Sequence, residues 1–223
     1  MKWPRRLLLW GLDNWFAAWW QVRYLLRPAP ASSLLEGGRA PVLVIPGVYE
    51  TWHYLRHAVL RLNERGHPVH VLPELGHNVT KIPDAAALAE RYLEAHDLRG
   101  VVILGHSKGG LIGKHMMAVD DVQGRVARMV AVSTPFSGSR LARFAPVRTL
   151  RVFRPEGRTL STLARNAVIN SRITSIYAEF DPVIPSGSHL EGATNLRLPM
   201  VGHFRILRDP AVLDAIEAAI DGP

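Results

Sequence analysis

The sequence predicts an α/β fold: a mostly parallel central sheet of about six strands, with helices on both faces and a short insertion. Three features carry this. From residue 40 onward, short runs of Val, Ile and Leu alternate with stretches of helical periodicity. The runs are apolar throughout rather than at every second residue, as strands buried on both faces are. One run leads directly into Gly105-His106-Ser107-Lys108-Gly109, a serine between glycines at a strand-to-helix junction.

The elements follow in order. Pro41 to Ile45 is a strand that stops at a Pro46-Gly47 turn, and residues 51–65 form a helix ended by Gly66. Strand 69–72 precedes a helix over 84–97, with Pro83 at its start. Strand 101–104 feeds a helix from Ser107 to Val119. Strand 129–132 is followed by an irregular stretch, 134–171, with a helix at 160–168. Strands at 173–176 and 195–198 come next, and a final helix spans 210–220. Domain organisation is therefore an N-terminal helix and linker over 1–39 and one domain over 40–223, interrupted by the irregular stretch 134–171.

Residues 1–27 read as one amphipathic helix. Leu8, Leu12, Trp15, Trp19, Val22 and Leu26 recur at steps of three and four, and five of the six tryptophans lie in this segment. Indole favours the lipid–water boundary, so peripheral contact with an anionic membrane is the expectation. Packing on protein and a signal anchor are the rival readings. The apolar run Leu7 to Leu12 is stopped by Asp13-Asn14, and no run of 18 uncharged apolar residues exists, which argues against a span. The expected location is cytoplasmic, peripheral on the membrane.

Of 223 residues, 48% are hydrophobic and 21% charged, a globular balance with room for one full core. The net charge of +8 is concentrated. Residues 1–30 hold five basic side chains against Asp13, and residues 134–172 hold eight arginines against Glu156. An anionic partner is implied. No nucleic-acid-binding motif accompanies the charge, so no nucleic acid is expected. The chain has no cysteine, which excludes disulfides and thiolate nucleophiles. His67 and His70 lack a carboxylate at ligand spacing, and no metal or organic cofactor is expected.

Ser107 is the candidate nucleophile. The sharp turn lifts its oxygen from the sheet edge, and the flanking glycines avoid clashes that side chains would make. A serine needs a base, and in this strand order acid and histidine follow it. His115 lies two turns along the same helix, and His189 sits in a Gly/Ser-rich loop. His203, in Val201-Gly202-His203-Phe204 after the last strand, can reach over the sheet edge. Asp181 at the carboxyl end of strand 173–177 is the candidate acid, with Glu179 its near rival and an Asp-Pro turn the bland alternative. The backbone N–H groups of Val48 and Lys108 are the expected oxyanion donors. The Lys108 ammonium is expected in solvent. Gly47, Tyr49 and Phe136 are expected to line the substrate site.

These residues together resemble the α/β-hydrolase superfamily, and within it the lipase and esterase branch. Val44-Ile-Pro-Gly-Val48, Gly105-His-Ser-Lys-Gly-Gly110 and Ser133-Thr-Pro-Phe-Ser-Gly-Ser139 carry the resemblance, with Asp181 and His203 completing it over about residues 40–221. Pro46-Gly47 stands where His-Gly is usual, and Phe136 replaces a common histidine. The first two strands of the full fold are missing from the pattern, and the resemblance implies that residues 134–171 are the family's cap or lid insertion. The resemblance implies a serine-dependent carboxylic ester hydrolase acting on a small-molecule or lipid ester through Ser107, Asp181 and His203. A thioesterase or acyltransferase would use the same triad, and a non-catalytic ligand-binding protein could share the fold.

Overall fold

The computed structural model describes residues 31–140, 142 and 147–222, together with Gly11, Asp13, Trp15 and Trp19, all four helical. The rest of the expected helix at 1–27 lies outside the described residues. Six strands form one parallel sheet: β1 (Val42–Ile45), β2 (Val69–Val71), β3 (Val101–His106), β4 (Val126–Val132), β5 (Ile173–Phe180) and β6 (Thr194–Val201), in the order β2-β1-β3-β4-β5-β6. Val44 pairs with Leu104, Leu104 with Val130, and Val132 with Ile176. The sequence expectation of a mainly parallel sheet with helices on both faces is met.

Side chains alternate across the sheet, and each face has its own core. Leu43, Ile45, Ile103, Met129, Ala131 and Ile173 pack with helices α2 (Ile82–Ala95) and α3 (Lys108–His115). Val42, Val44, Val102, Leu104, Val130 and Ile176 face the other way, against α1 (Arg56–Glu64) and α5 (Pro210–Asp221). Because both faces are covered, a strand reads as an unbroken apolar run. Helix α5 starts at Pro210, and the Asp209 side chain caps it by accepting from Ala211 N–H at 3.0 Å. Its far end is tied to the start of the domain by Asp221, which meets Arg39 at 2.6 Å and His67 Nε2 at 2.9 Å.

The structure differs from the sequence expectations mainly at element ends. The helix expected at 51–65 begins with a 3-10 turn, Trp52–Leu55, before α1. The helix expected to run to Val119 stops being α-helical at His115 and continues as a wider π turn, Met116–Asp120. That turn keeps Met116 and Met117 buried and brings Asp120 to His115 Nδ1 at 2.7 Å. Strand β4 starts three residues earlier than expected, and β5 and β6 end later; Arg128, Glu179 and Pro199 interrupt the apolar runs there and sit at half-exposed or exposed positions. Between β4 and β5, helix α4 (Arg158–Arg165) buries Leu160 and Leu163 against the α3 side of the core. No helix among the described residues is long and apolar enough to cross a membrane.

Helix α3 leaves the sheet so closely that backbone meets backbone. A Cβ on Gly109 would lie 1.9 Å from the Ile45 carbonyl oxygen, and one on Gly105 2.7 Å from Gly110 N. Neither neighbour is a side chain that can swing away. Overpacking ordinarily costs about 1–3 kcal/mol, and a contact with fixed backbone belongs at the top of that range or above it. Gly109→Ala should therefore lose about 3 kcal/mol or more, read as a lowered midpoint in thermal unfolding. An unchanged midpoint would show that α3 can move off the sheet at little cost.

Candidate active site

Ser107 occupies the turn between β3 and α3 with φ 49° and ψ −115°, a conformation that side chains rarely adopt. Its N–H is held by the Val132 carbonyl at 2.9 Å, which locks the turn to β4. Gly110 allows the same close fit on the other side, since a Cβ there would strike the Thr134 hydroxyl at 2.0 Å. The side chain is thus presented at the carboxyl ends of the strands, where open α/β sheets place their sites.

The two downstream candidates meet there. His203 Nδ1 and Asp181 Oδ2 are 2.7 Å apart, and both residues are buried. The other Asp181 oxygen accepts from Val183 N–H at 2.8 Å and Ile184 N–H at 2.9 Å. Asp181 therefore shapes its own turn and orients the imidazole at once, so the turn reading and the acid reading are not exclusive. With the carboxylate accepting at Nδ1, the free lone pair of His203 lies on Nε2. Glu179 points elsewhere and pairs with Arg197 at 2.9 Å on the surface. His115 is engaged by Asp120, and His189 is exposed. Ser107 Oγ makes no hydrogen bond among the described residues. That is a common state for a nucleophile before substrate tightens the site.

The turn after β1 supplies the expected second wall. Glu50 Oε2 takes up the Gly47 N–H at 2.8 Å. Val48 N–H has no partner among the described residues, and Lys108 N–H, in the first turn of α3, has no intrahelical acceptor. Tyr49, at φ 63°, reaches across to Thr149 with its hydroxyl at 2.6 Å. It thereby joins this turn to the segment between β4 and β5. Phe136 is buried in the core beneath that segment, with the Lys114 ammonium 5.8 Å above its ring centre.

One expectation is corrected. The Lys108 ammonium is not in solvent: the residue is 1% exposed. Its Nζ donates to Asn78 O at 2.7 Å, to Asn78 Oδ1 at 3.1 Å and to the Thr80 carbonyl. Asn78 Nδ2 in turn donates to the Pro46 carbonyl at 2.6 Å. The motif's lysine is thus a strut between α3, the loop after β2 and the turn after β1. Burial pulls its pKa down to about 8.

Other residues of the site escaped the sequence reading. Glu50 and His106 form a buried pair, with Nδ1 2.8 and 2.9 Å from the two carboxylate oxygens, and His106 Nε2 is 3.2 Å from the His203 carbonyl. Asp13 lies against the backbone of residues 203–205. His106 sits inside the serine motif and was the one available signal. Glu50 and Asp13 reach the site through contacts that no local pattern announces.

The sequence profile of the α/β-hydrolase fold matches residues 40–156, just over half of the chain. The protein belongs to the α/β-hydrolase family. Its structure is similar to the mature lipase BlEst2 of Bacillus licheniformis, with a TM-score of 0.62 at 14% identity, covering 87% of this chain and 94% of that one. It is also similar to a monoacylglycerol lipase of Paleococcus ferrophilus, at 0.58 and 14%, covering 81% and 95%. The lin2722 gene product of Listeria innocua scores 0.60 at 13%, covering 83% and 95%. Identities this low speak for the fold. No curated protein matches the sequence.

Burial alone would lower the pKa of His203. The carboxylates of Asp181, then Glu50 and Asp13, outweigh it and hold the imidazole above its ordinary 6.5. The pair therefore stabilises the fold fully below about pH 6.5, and that contribution fades as pH rises through the native midpoint. In an NMR titration His203 should titrate above 6.5, and Asp181→Asn should lower that midpoint, because the largest opposing charge to burial is then gone. A midpoint indifferent to Asp181→Asn would contradict this account.

Proposed function

We propose that the protein is a serine hydrolase of carboxylic esters, with Ser107 as nucleophile, His203 as base and Asp181 as the acid that orients it. The observation that carries this is the buried 2.7 Å contact of His203 with Asp181, at the same sheet edge as the strained Ser107 turn. In this reading Ser107 Oγ forms a bond to the acyl carbon while its proton passes to His203 Nε2. The tetrahedral oxyanion is met by the N–H groups of Val48 and Lys108. The C–O bond to the alcohol then breaks, and the alcohol leaves with the proton from His203. Water repeats the sequence on the acyl-enzyme, releasing the acid and restoring Ser107.

A lipid-like ester is the proposed substrate class. Two of the similar structures are lipases, one of them for monoacylglycerols. Trp15 and Trp19, four residues apart on one helical face, are 69% and 58% exposed. Asp13, on the opposite side, is buried. Arg140, Arg158 and Arg165 are exposed on the segment between β4 and β5. Indole rings seated at the headgroups, with arginines beside them at about 1 kcal/mol each near anionic lipid, would hold the protein peripherally on a membrane.

Ser107→Ala should lower hydrolysis of a p-nitrophenyl ester by a factor on the order of 10⁶, and Asp181→Asn by roughly 10⁴. A fluorophosphonate should label Ser107 alone, as mapped by mass spectrometry. More than a tenth of wild-type rate in clean Ser107→Ala protein would end the assignment.

The membrane reading predicts co-sedimentation with anionic vesicles that weakens with salt and is reduced when Trp15 and Trp19 are both changed to Ser. Equal pelleting with neutral and anionic vesicles would reject the electrostatic part. The paired substitution is a better probe than deleting residues 1–27, because that deletion also removes Asp13.

A further inference from the structure

His203 is held at three points, and only one of them is its ring. Its carbonyl oxygen accepts from His106 Nε2 at 3.2 Å. Its N–H donates to Asp13 Oδ2 at 2.9 Å. The same carboxylate takes up the next two amides: Phe204 N–H at 3.2 Å from Oδ2 and 3.3 Å from Oδ1, and Arg205 N–H at 3.1 Å from Oδ1. Three successive N–H groups thus converge on one side chain that is 190 residues away in the chain and 1% exposed. The loop is built to admit it. Gly202 has φ 138°, and a Cβ there would come within 3.1 Å of Asp13 Oδ1.

We propose that Asp13 is a positioning residue for His203, so that the N-terminal segment completes the active site of the hydrolase. The inference rests on the reading of His203 as the base. Its physical ground is that a loop following an edge strand has few restraints of its own. Amides at 203–205 that lose their acceptor must turn to find another, and the imidazole turns with them. A displacement near 1 Å is enough to lower a rate about 100-fold. Asp13 touches no reacting atom, so substrate affinity should be spared. Its charge also contributes to the field on the imidazole. The groups that face His203 are the carboxylates of Asp181, Glu50 and Asp13 and the ring of His106, which lies tilted against it at 4.9 Å between centroids.

The test uses the full-length chain with Asp13→Asn, which keeps shape and one acceptor oxygen, and Asp13→Ala, which removes both. For Asp13→Asn we expect a kcat about tenfold lower on a short soluble ester, KM within about twofold, and a pH–rate midpoint below that of wild type. Asp13→Ala should lose 10- to 100-fold in kcat and in the rate of fluorophosphonate labelling at Ser107. Should Asp13→Ala not fold, Asp13→Asn decides. Wild-type kcat and midpoint in Asp13→Asn would overturn the proposal. So would a kcat that falls only in step with the folded fraction while the midpoint stays. The low-field NMR signal of the proton between His203 Nδ1 and Asp181 gives a readout that needs no substrate. If wild type hydrolysed no ester, a signal displaced in Asp13→Asn would still support the positioning role, and an unmoved one would reject it.

Discussion

Helix α3 begins in contact with the sheet, and the rest of the site is arranged around that contact. The Ile45 carbonyl and the Gly109 backbone lie so close that no side chain fits between them. The chain can make the approach only by turning sharply at residue 107, with positive φ at a serine. The helix then points its first amides at the space above the strand ends. The same approach brings the turn after β1 beside the start of α3, so Val48 and Lys108 come to face one region from separate elements.

Crowding of this kind buries polar groups, and several of those around the site are met by partners. The Gly47 amide meets Glu50, Glu50 meets His106, and His106 meets the carbonyl of His203. Lys108, next to Ser107, gives its ammonium to Asn78 and Thr80. A buried amide or charge without a partner costs several kcal/mol, so these chains of contacts fix loop positions as firmly as apolar packing does. The result is that the loop of His203 and the turn after β1 are mechanically linked through Glu50 and His106.

Much of the fold was legible in the sequence. The apolar runs at 42–45, 101–104 and 129–132 are buried on both sides, so composition and position agree. Strand ends were not legible where a charged residue or a proline interrupts the apolar run, as Glu179 does in β5 and Pro199 in β6. Ser107, Asp181 and His203 could be named together as candidates because chain order and strand position constrain them, and the structure brings the last two into contact. Asp13 could not, because an aspartate within an amphipathic pattern looks like part of the polar face. Its partners are backbone amides, which every sequence has. Lys108 was misjudged for the converse reason: a lysine in a tight turn ordinarily projects outward. Here the loop at 76–80 folds over it and supplies carbonyl acceptors.

The separation of 190 residues between Asp13 and His203 also sets an order in time. Chains are made from the N-terminus at roughly 5–20 residues per second. The carboxylate that steadies the histidine loop therefore exists for roughly 10–40 s before the histidine is added. The contact of Asp221 with Arg39 and His67 forms later still. During synthesis the serine turn and its flanking strands can assemble, but His203 cannot yet be seated. With His203 as the proposed base, the nascent chain stays inert until its last strand has joined the sheet, so completion of the fold and the arrival of a competent site coincide.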